Sequence, residues 1–289
     1  MAIDEVSTTR AGAPQVRELG PDDLPALQVL LQRDPVRHCF VADRVQATMV
    51  QSWRLGGLLW GYFVDDRLVS ACFNGANLVP VEATAGALQA FADRARRYGR
   101  QCSSIVGSQE EVAALWRWLE PSWGPARSER MDQPVMTITG PPSVEPDPLV
   151  RVVTAHELDL YLPACSAMFT EEVGVPPTAG ESEHSYRQRI AELIAQRRAV
   201  ARIEGGRVLF KAEIGSVAGG VCQVVGVWVD PAHRGQGLSV GGMAATIRYA
   251  RAQFAPTVSL YVNAYNTAAR RSYLATGMTQ TDTFASVLF

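Results

Sequence analysis

The stretch from 221 to 253 constrains the fold more tightly than any other. It reads as an apolar, β-branched run Val221–Val229, then Asp230-Pro231, then Arg234-Gly235-Gln236-Gly237, then a helical stretch Leu238–Gln253. The apolar run predicts a buried strand. Pro231 ends it, because proline has no amide to give to a ladder. Val240, Met243, Ala244, Ile247 and Ala250 recur at helical spacing and predict the buried face of the helix, which closes before Pro256. A strand, a glycine turn and a helix start together make a site for anions. The first helical amides have no acceptor within the helix, and the macrodipole adds partial positive charge there. Gly235 and Gly237 allow close backbone approach, and Arg234 adds a full charge with several donors. A pyrophosphate suits such a loop. A lone turn of this kind would equally be a plain strand-to-helix connection with a solvated arginine.

The following segment narrows the choice. A second apolar strand at 257–262 leads into Asn266, a good N-cap, and a short helix closed by Gly277, where a left-handed residue is wanted. Ala269 and Tyr273 lie four apart on one face of that helix.

Both segments resemble the GNAT acetyltransferase superfamily. Residues 229–239 are similar to its coenzyme A loop, whose core is Arg or Gln, any two residues, Gly, any residue, then Gly or Ala. Arg234, Gly237 and Ser239 take those places, and the small Ser239 is the one departure. Asn266, Ala269, Tyr273 and Gly277 match the family's second pattern in register, with Met278 replacing its usual aromatic. The two motifs stand in the family's order, about 30 residues apart. The resemblance implies acetyl-CoA as cosubstrate and no metal. It implies that the amides of Arg234, Gly235, Gln236, Gly237, Leu238 and Ser239 hold the pyrophosphate. It also implies that a splayed strand at Val227, Trp228 and Val229 bonds the pantetheine arm, and that a free amide near Val227 polarises the thioester carbonyl. Asn266 would contact the coenzyme, and Tyr273 would protonate the departing thiolate. A half-buried packing tyrosine is the competing role for Tyr273.

The proton acceptor is harder to place. Many family members carry a Glu on the coenzyme strand, where this chain has Gln223, which accepts no proton at neutral pH. Glu213 is the leading candidate. It stands two residues from Lys211, the only lysine, on one face of the preceding strand. An exposed ion pair explains the two equally well. Glu171 and Glu172, expected in a loop between helices, would line the acceptor cleft or form a solvated acidic turn. His184 reads as a surface residue.

The segment 140–148 has four prolines in nine positions and predicts an extended linker. It follows a flexible tail at 1–14 and a first domain at 15–139, and it precedes a catalytic domain at 149–289. Both halves open alike: a short strand, then a helix start with an early acid, with Thr154 and Glu157 forming a capping box in the second. Both then hold a hairpin, about Asp65-Asp66 and about Gly205-Gly206. The expected fold is α/β (α+β): two GNAT-like units, each a mixed, mostly antiparallel sheet flanked by helices. The layout resembles tandem actinobacterial members of the superfamily with a diverged N-terminal domain. That first half has no arginine-glycine loop. Five of the six tryptophans fall in it, and they read as packing residues.

Composition removes other classes. A net charge of -2 offers no basic stripe for nucleic acid, and no run approaches a membrane span. Five scattered cysteines suit a reducing cytoplasm and lack metal-ligand spacing. The sequence therefore predicts a cytoplasmic N-acetyltransferase that passes an acyl group, acetyl by default, to an amine by direct attack. A non-catalytic acyl-CoA sensor is the alternative. The acceptor, whether a small molecule or a protein amine, and the oligomeric state stay open.

Overall fold

The computed structural model describes residues 13–179 and 182–289, so most of the expected tail at 1–14 lies outside the described residues. The chain divides into two compact units. The first runs to Asp34, then takes residues 44–131 and 285–289; the second holds 35–43 and 132–284.

The elements begin with β1 (Gln15–Glu18), α1 (Leu24–Leu31), α2 (Pro35–Thr48) and α3 (Ser52–Leu55). There follow β2 (Gly57–Val64), β3 (Arg67–Gly75), β4 (Asn77–Val81), α4 (Ala85–Tyr98), β5 (Ser104–Ser108), α5 (Gln109–Trp123) and β6 (Ser128–Ile138). The second series is β7 (Val150–Val152), α6 (Leu158–Val173), α7 (Glu183–Ala195), β8 (Ala199–Glu204), β9 (Arg207–Ala218) and β10 (Val221–Val229). It closes with α8 (Leu238–Gln253), β11 (Thr257–Tyr261), α9 (Thr267–Ala275) and β12 (Thr279–Leu288).

The same pairing scheme occurs twice. In the first unit β1, β2, β3 and β4 pair antiparallel in sequence, and β4 pairs β5 in parallel through α4. In the second β7, β8, β9 and β10 pair antiparallel, and β10 pairs β11 in parallel through α8. The hairpin turns show why the register repeats. Asp65 and Asp66 have φ of 48° and 57°, and Gly205 and Gly206 have 55° and 74°. Two successive left-handed residues give the turn whose twist matches paired strands. The unit openings repeat as well: Arg17 bonds Asp23 at 2.6 Å, and Arg151 bonds Glu157 at 2.6 Å. Each carboxylate also accepts a backbone amide at 2.9 Å, from Gly20 and Thr154 respectively.

The first core gathers Trp60, Phe91, Leu115 and Trp116, with Trp123 packed at its edge, while Trp53 and Trp118 are exposed. The second core sets Met243, Ile247 and Ala250 of α8 on Phe210, Ile214 and Val224 of the sheet. Val240, expected on the buried face, is only half-buried, because it sits in the first turn beside the open cleft.

Two local expectations change. Segment 140–148 falls within the second unit, where Ser143 and Asp147 find partners. Ser143 N donates to Thr276 O at 3.0 Å, Asp147 N donates to Gly241 O at 3.0 Å, and Arg202 grips the Asp147 carboxylate at 2.9 Å. Glu171 and Glu172 are not in a loop. Helix α6 continues through both and stops only where Gly174 adopts a φ of 83°.

Candidate active site

Strand β10 opens the site. Its parallel pairing with β11 extends only over Val221–Gln223, and beyond that the two strands separate. Its pairing with β9 is also broken. Val225 faces Glu213 and the next pair is Trp228 with Lys211, so three steps on β10 match two on β9. Gly226, at φ 59°, lies in that bulge, and Gly226 and Val227 fall outside the paired register.

A cavity of about 310 Å³ fills the space between the parted strands, lined by residues 224–228 on one side and 260–263 on the other. An adjoining cleft of about 420 Å³ runs to the start of α8. Val227, Trp228, Asn266 and Tyr273 border both. The predicted coenzyme residues thus meet in one place: Val227, Trp228, Val229, Arg234, Gly235, Gly237, Leu238, Ser239 and Asn266 line the cleft, and Gln236 does not.

Gly237 is the N-cap of α8 at φ 80° and brings no side chain to cap the helix. The amides of its first turn therefore keep their capacity to bind an anion. Arg234 lies alongside, its Nε donating to Val229 O at 3.1 Å and its Nη2 to Glu171 at 2.6 Å. The other oxygen of Glu171 accepts from Trp228 Nε1 at 3.2 Å. In this structure the Glu171 carboxylate is the anion held by the Arg234 side chain.

Asn266 caps α9 as expected, its Oδ1 accepting from Ala269 N at 3.1 Å. The cap orients the helix so that Tyr273 is only 5% exposed and still borders both cavities. Burial first, then the negative charge of Glu172, pushes the Tyr273 phenol well above its ordinary range. Glu172 borders the smaller cavity with it.

Glu213 stands away from both cavities. It lines neither cavity and is 5% exposed. Its Oε1 bonds Lys211 Nζ at 2.7 Å, Tyr161 Oη at 3.1 Å and Cys165 Sγ at 3.4 Å. The pair with Lys211 is buried, where an exposed strand-face pair was the other expectation. Burial raises the Cys165 thiol to about 12 and the Tyr161 phenol well above its usual range, so both stay neutral donors to this carboxylate. Gln223 is buried and lines neither cavity, and His184 is exposed. Sequence reasoning passed over Gln133, whose amide donates to Asn263 at 2.9 Å on the wall of the smaller cavity. Nothing in its local pattern marks it.

The first unit lacks this arrangement. At the start of α4 the Thr84 hydroxyl caps Ala87 N, and the carboxylate of Glu111 accepts from Ala83 N. The chain's own side chains fill that place. Among the described residues no group of three or more His, Cys, Asp or Glu could hold a metal ion, and no helix is long and apolar enough to cross a membrane.

The second unit is thus an α/β sheet whose parallel strands part, with an arginine-glycine turn feeding a helix beside the gap. Residues 174–278 match the profile of the Acetyltransferase (GNAT) family, and residues 57–161 match a domain of unknown function, DUF4081. Residues 174–278 thus carry a domain like those of the GNAT family. Solved structures share the fold over nearly the whole chain. A GCN5-related N-acetyltransferase from Sphaerobacter thermophilus is 19% identical, with 95% of each chain covered and a TM-score of 0.57. An acetyltransferase of the GNAT family from Colwellia psychrerythraea is 13% identical, over 95% of this chain and 99% of that one, at a TM-score of 0.56. A tandem GNAT protein from the clavulanic acid biosynthesis pathway is 15% identical, over 95% and 98%, at 0.54. No curated protein matches the sequence.

Proposed function

We propose that the second unit binds acetyl-CoA along the cleft from Arg234–Ser239 to Val227 and passes the acetyl group to a small, positively charged amine in the adjoining cavity. The observation that carries this is the convergence of the glycine turn, the parted strand and Tyr273 on one cleft. The helix-start amides and Arg234 suit a pyrophosphate. Val227, outside the ladder, offers its amide to the thioester carbonyl as charge develops on the oxygen.

The amine attacks the carbonyl carbon; a C–N bond forms and the C–S bond breaks. Tyr273, kept protonated by burial, gives its proton to the departing sulfur. Glu172 takes the proton that the amine must shed. It borders the same cavity as Tyr273, whereas Glu213 borders neither. The acceptor cavity carries Glu171, Glu172, Gln133, Tyr261, Asn263 and Tyr265 on its walls, and no lysine, arginine or histidine. Such a lining favours an acceptor with cationic and hydrogen-bonding groups and disfavours one with a carboxylate next to the amine.

Calorimetry with coenzyme A, followed by thiol release from acetyl-CoA across amines with and without a neighbouring carboxylate, tests the reading. Tight binding and turnover with the carboxylate-free amines are expected. Binding without turnover across the panel would favour an acyl-CoA sensor, and no binding would remove the proposal.

A further inference from the structure

The chain's only lysine is the least expected residue in its interior. Lys211 is wholly buried, and its Nζ lies 3.0 Å from the carbonyl of Gly226 and 2.7 Å from Glu213. Resting on the acyl-transfer reading above, we propose that Lys211 is a positioning residue. By holding the Gly226 carbonyl it fixes the β10 bulge and so aims the Val227 amide into the cleft.

Geometry and energetics point the same way. The bulge is a single extra residue between the Val225–Glu213 and Trp228–Lys211 pairs, so the two charged side chains flank the irregularity on β9. A left-handed residue at that point needs something to hold it, because a regular strand would put Val227 back in the ladder. The ammonium does so by drawing the Gly226 carbonyl towards β9. The space around the bulge is closed: a Cβ on Gly226 would lie 3.0 Å from Glu213 Oε2, 3.1 Å from Lys211 Nζ and 3.1 Å from Met168 Cε. Glu213 balances the ammonium and is itself oriented by Tyr161 and Cys165. A buried ion pair is a weak source of stability, since apolar residues of like volume usually do as well. Its place directly beneath the bulge gives it a geometric role in exchange for that desolvation.

The test is the double variant Lys211→Met/Glu213→Gln, which removes both charges together and strands neither. It is expected to fold and to bind coenzyme A within about threefold of the parent, because the Arg234–Ser239 turn is untouched. Its kcat should fall by about tenfold or more, as a mis-aimed oxyanion donor would produce. Amide exchange at 226–228 should quicken. A folded double variant with parental kcat, or one that loses coenzyme affinity and kcat in equal measure, overturns the proposal. If the double variant does not fold, Gly226→Ala is read the same way, since its methyl would press on Lys211 Nζ and Glu213 Oε2 and displace the bulge from their side. A parent protein that binds no coenzyme A overturns the acyl-transfer reading itself and this inference with it. A parent that turns over beside an unaffected variant overturns this inference alone.

Discussion

Tyr273 was legible from its spacing, but its state came only from the fold. Packed among Met278, Val262 and Ala269 with its ring on the cleft wall, it holds its proton well into alkaline solution. An acid whose folded pKa is raised stays protonated through the ordinary phenol range near 10. The rate of acetyl transfer should therefore rise with pH as the amine sheds its proton and show no descending limb up to about pH 10. Tyr273→Phe should lower kcat by roughly 10²-fold or more while coenzyme affinity, measured by calorimetry, stays near parental. An unchanged kcat would return Tyr273 to a packing role. Glu171 makes a separate prediction. Its carboxylate competes with an incoming phosphate for Arg234, and the pair is half-exposed on both sides. Exposed pairs are worth up to ~1 kcal/mol, so Glu171→Gln should tighten coenzyme A binding by about two- to fivefold in calorimetry. Weaker binding would mean that Glu171 supports the loop. No sequence pattern could have shown this contact, because 63 positions separate the partners.

At the level of elements, patterns with strong local causes were readable. The helix from Leu238 to Gln253, the strand before it and both hairpin turns depend on periodicity, proline and glycine, which act over a few residues. The end of α6 was misread because the acids at Glu171 and Glu172 suggested a loop, while only Gly174 carries the stop. The bulge at Gly226 was invisible, since it arises from pairing with β9. The capping box at Thr154–Glu157 was readable, and it sets a stability prediction. The Arg151 guanidinium and the Thr154 amide hold the Glu157 carboxyl at about 2, below its usual range. Its contribution is full above the unfolded value near 4.5 and is lost as pH falls towards 2. Glu157→Gln should cost about 1 kcal/mol at pH 7, near 3 °C in Tm, and the gap to the parent should shrink at pH 3. A gap that stays constant with pH would show that the charge contributes nothing.

Across the whole molecule, the two halves carry one scheme of strands and differ in what fills the helix start after the fourth strand. In the second unit Gly237 leaves the first turn of α8 uncapped beside a cleft. In the first, Thr84 caps α4 and Glu111, only 9% exposed, sits on the amide of Ala83. The missing arginine and glycines were plain in the sequence. The carboxylate in their place was not, because Glu111 comes from a later helix and is recognisable only once α5 packs beside α4. An anion site that already contains an anion has little to gain from another, and a second phosphate there would meet like charge in a poorly solvated position. Calorimetry with coenzyme A should accordingly give about one site per chain, and Arg234→Ala should weaken that single site without uncovering another. A stoichiometry of two would show that Glu111 yields its place, and the first unit would then have to be counted as a second coenzyme-binding domain.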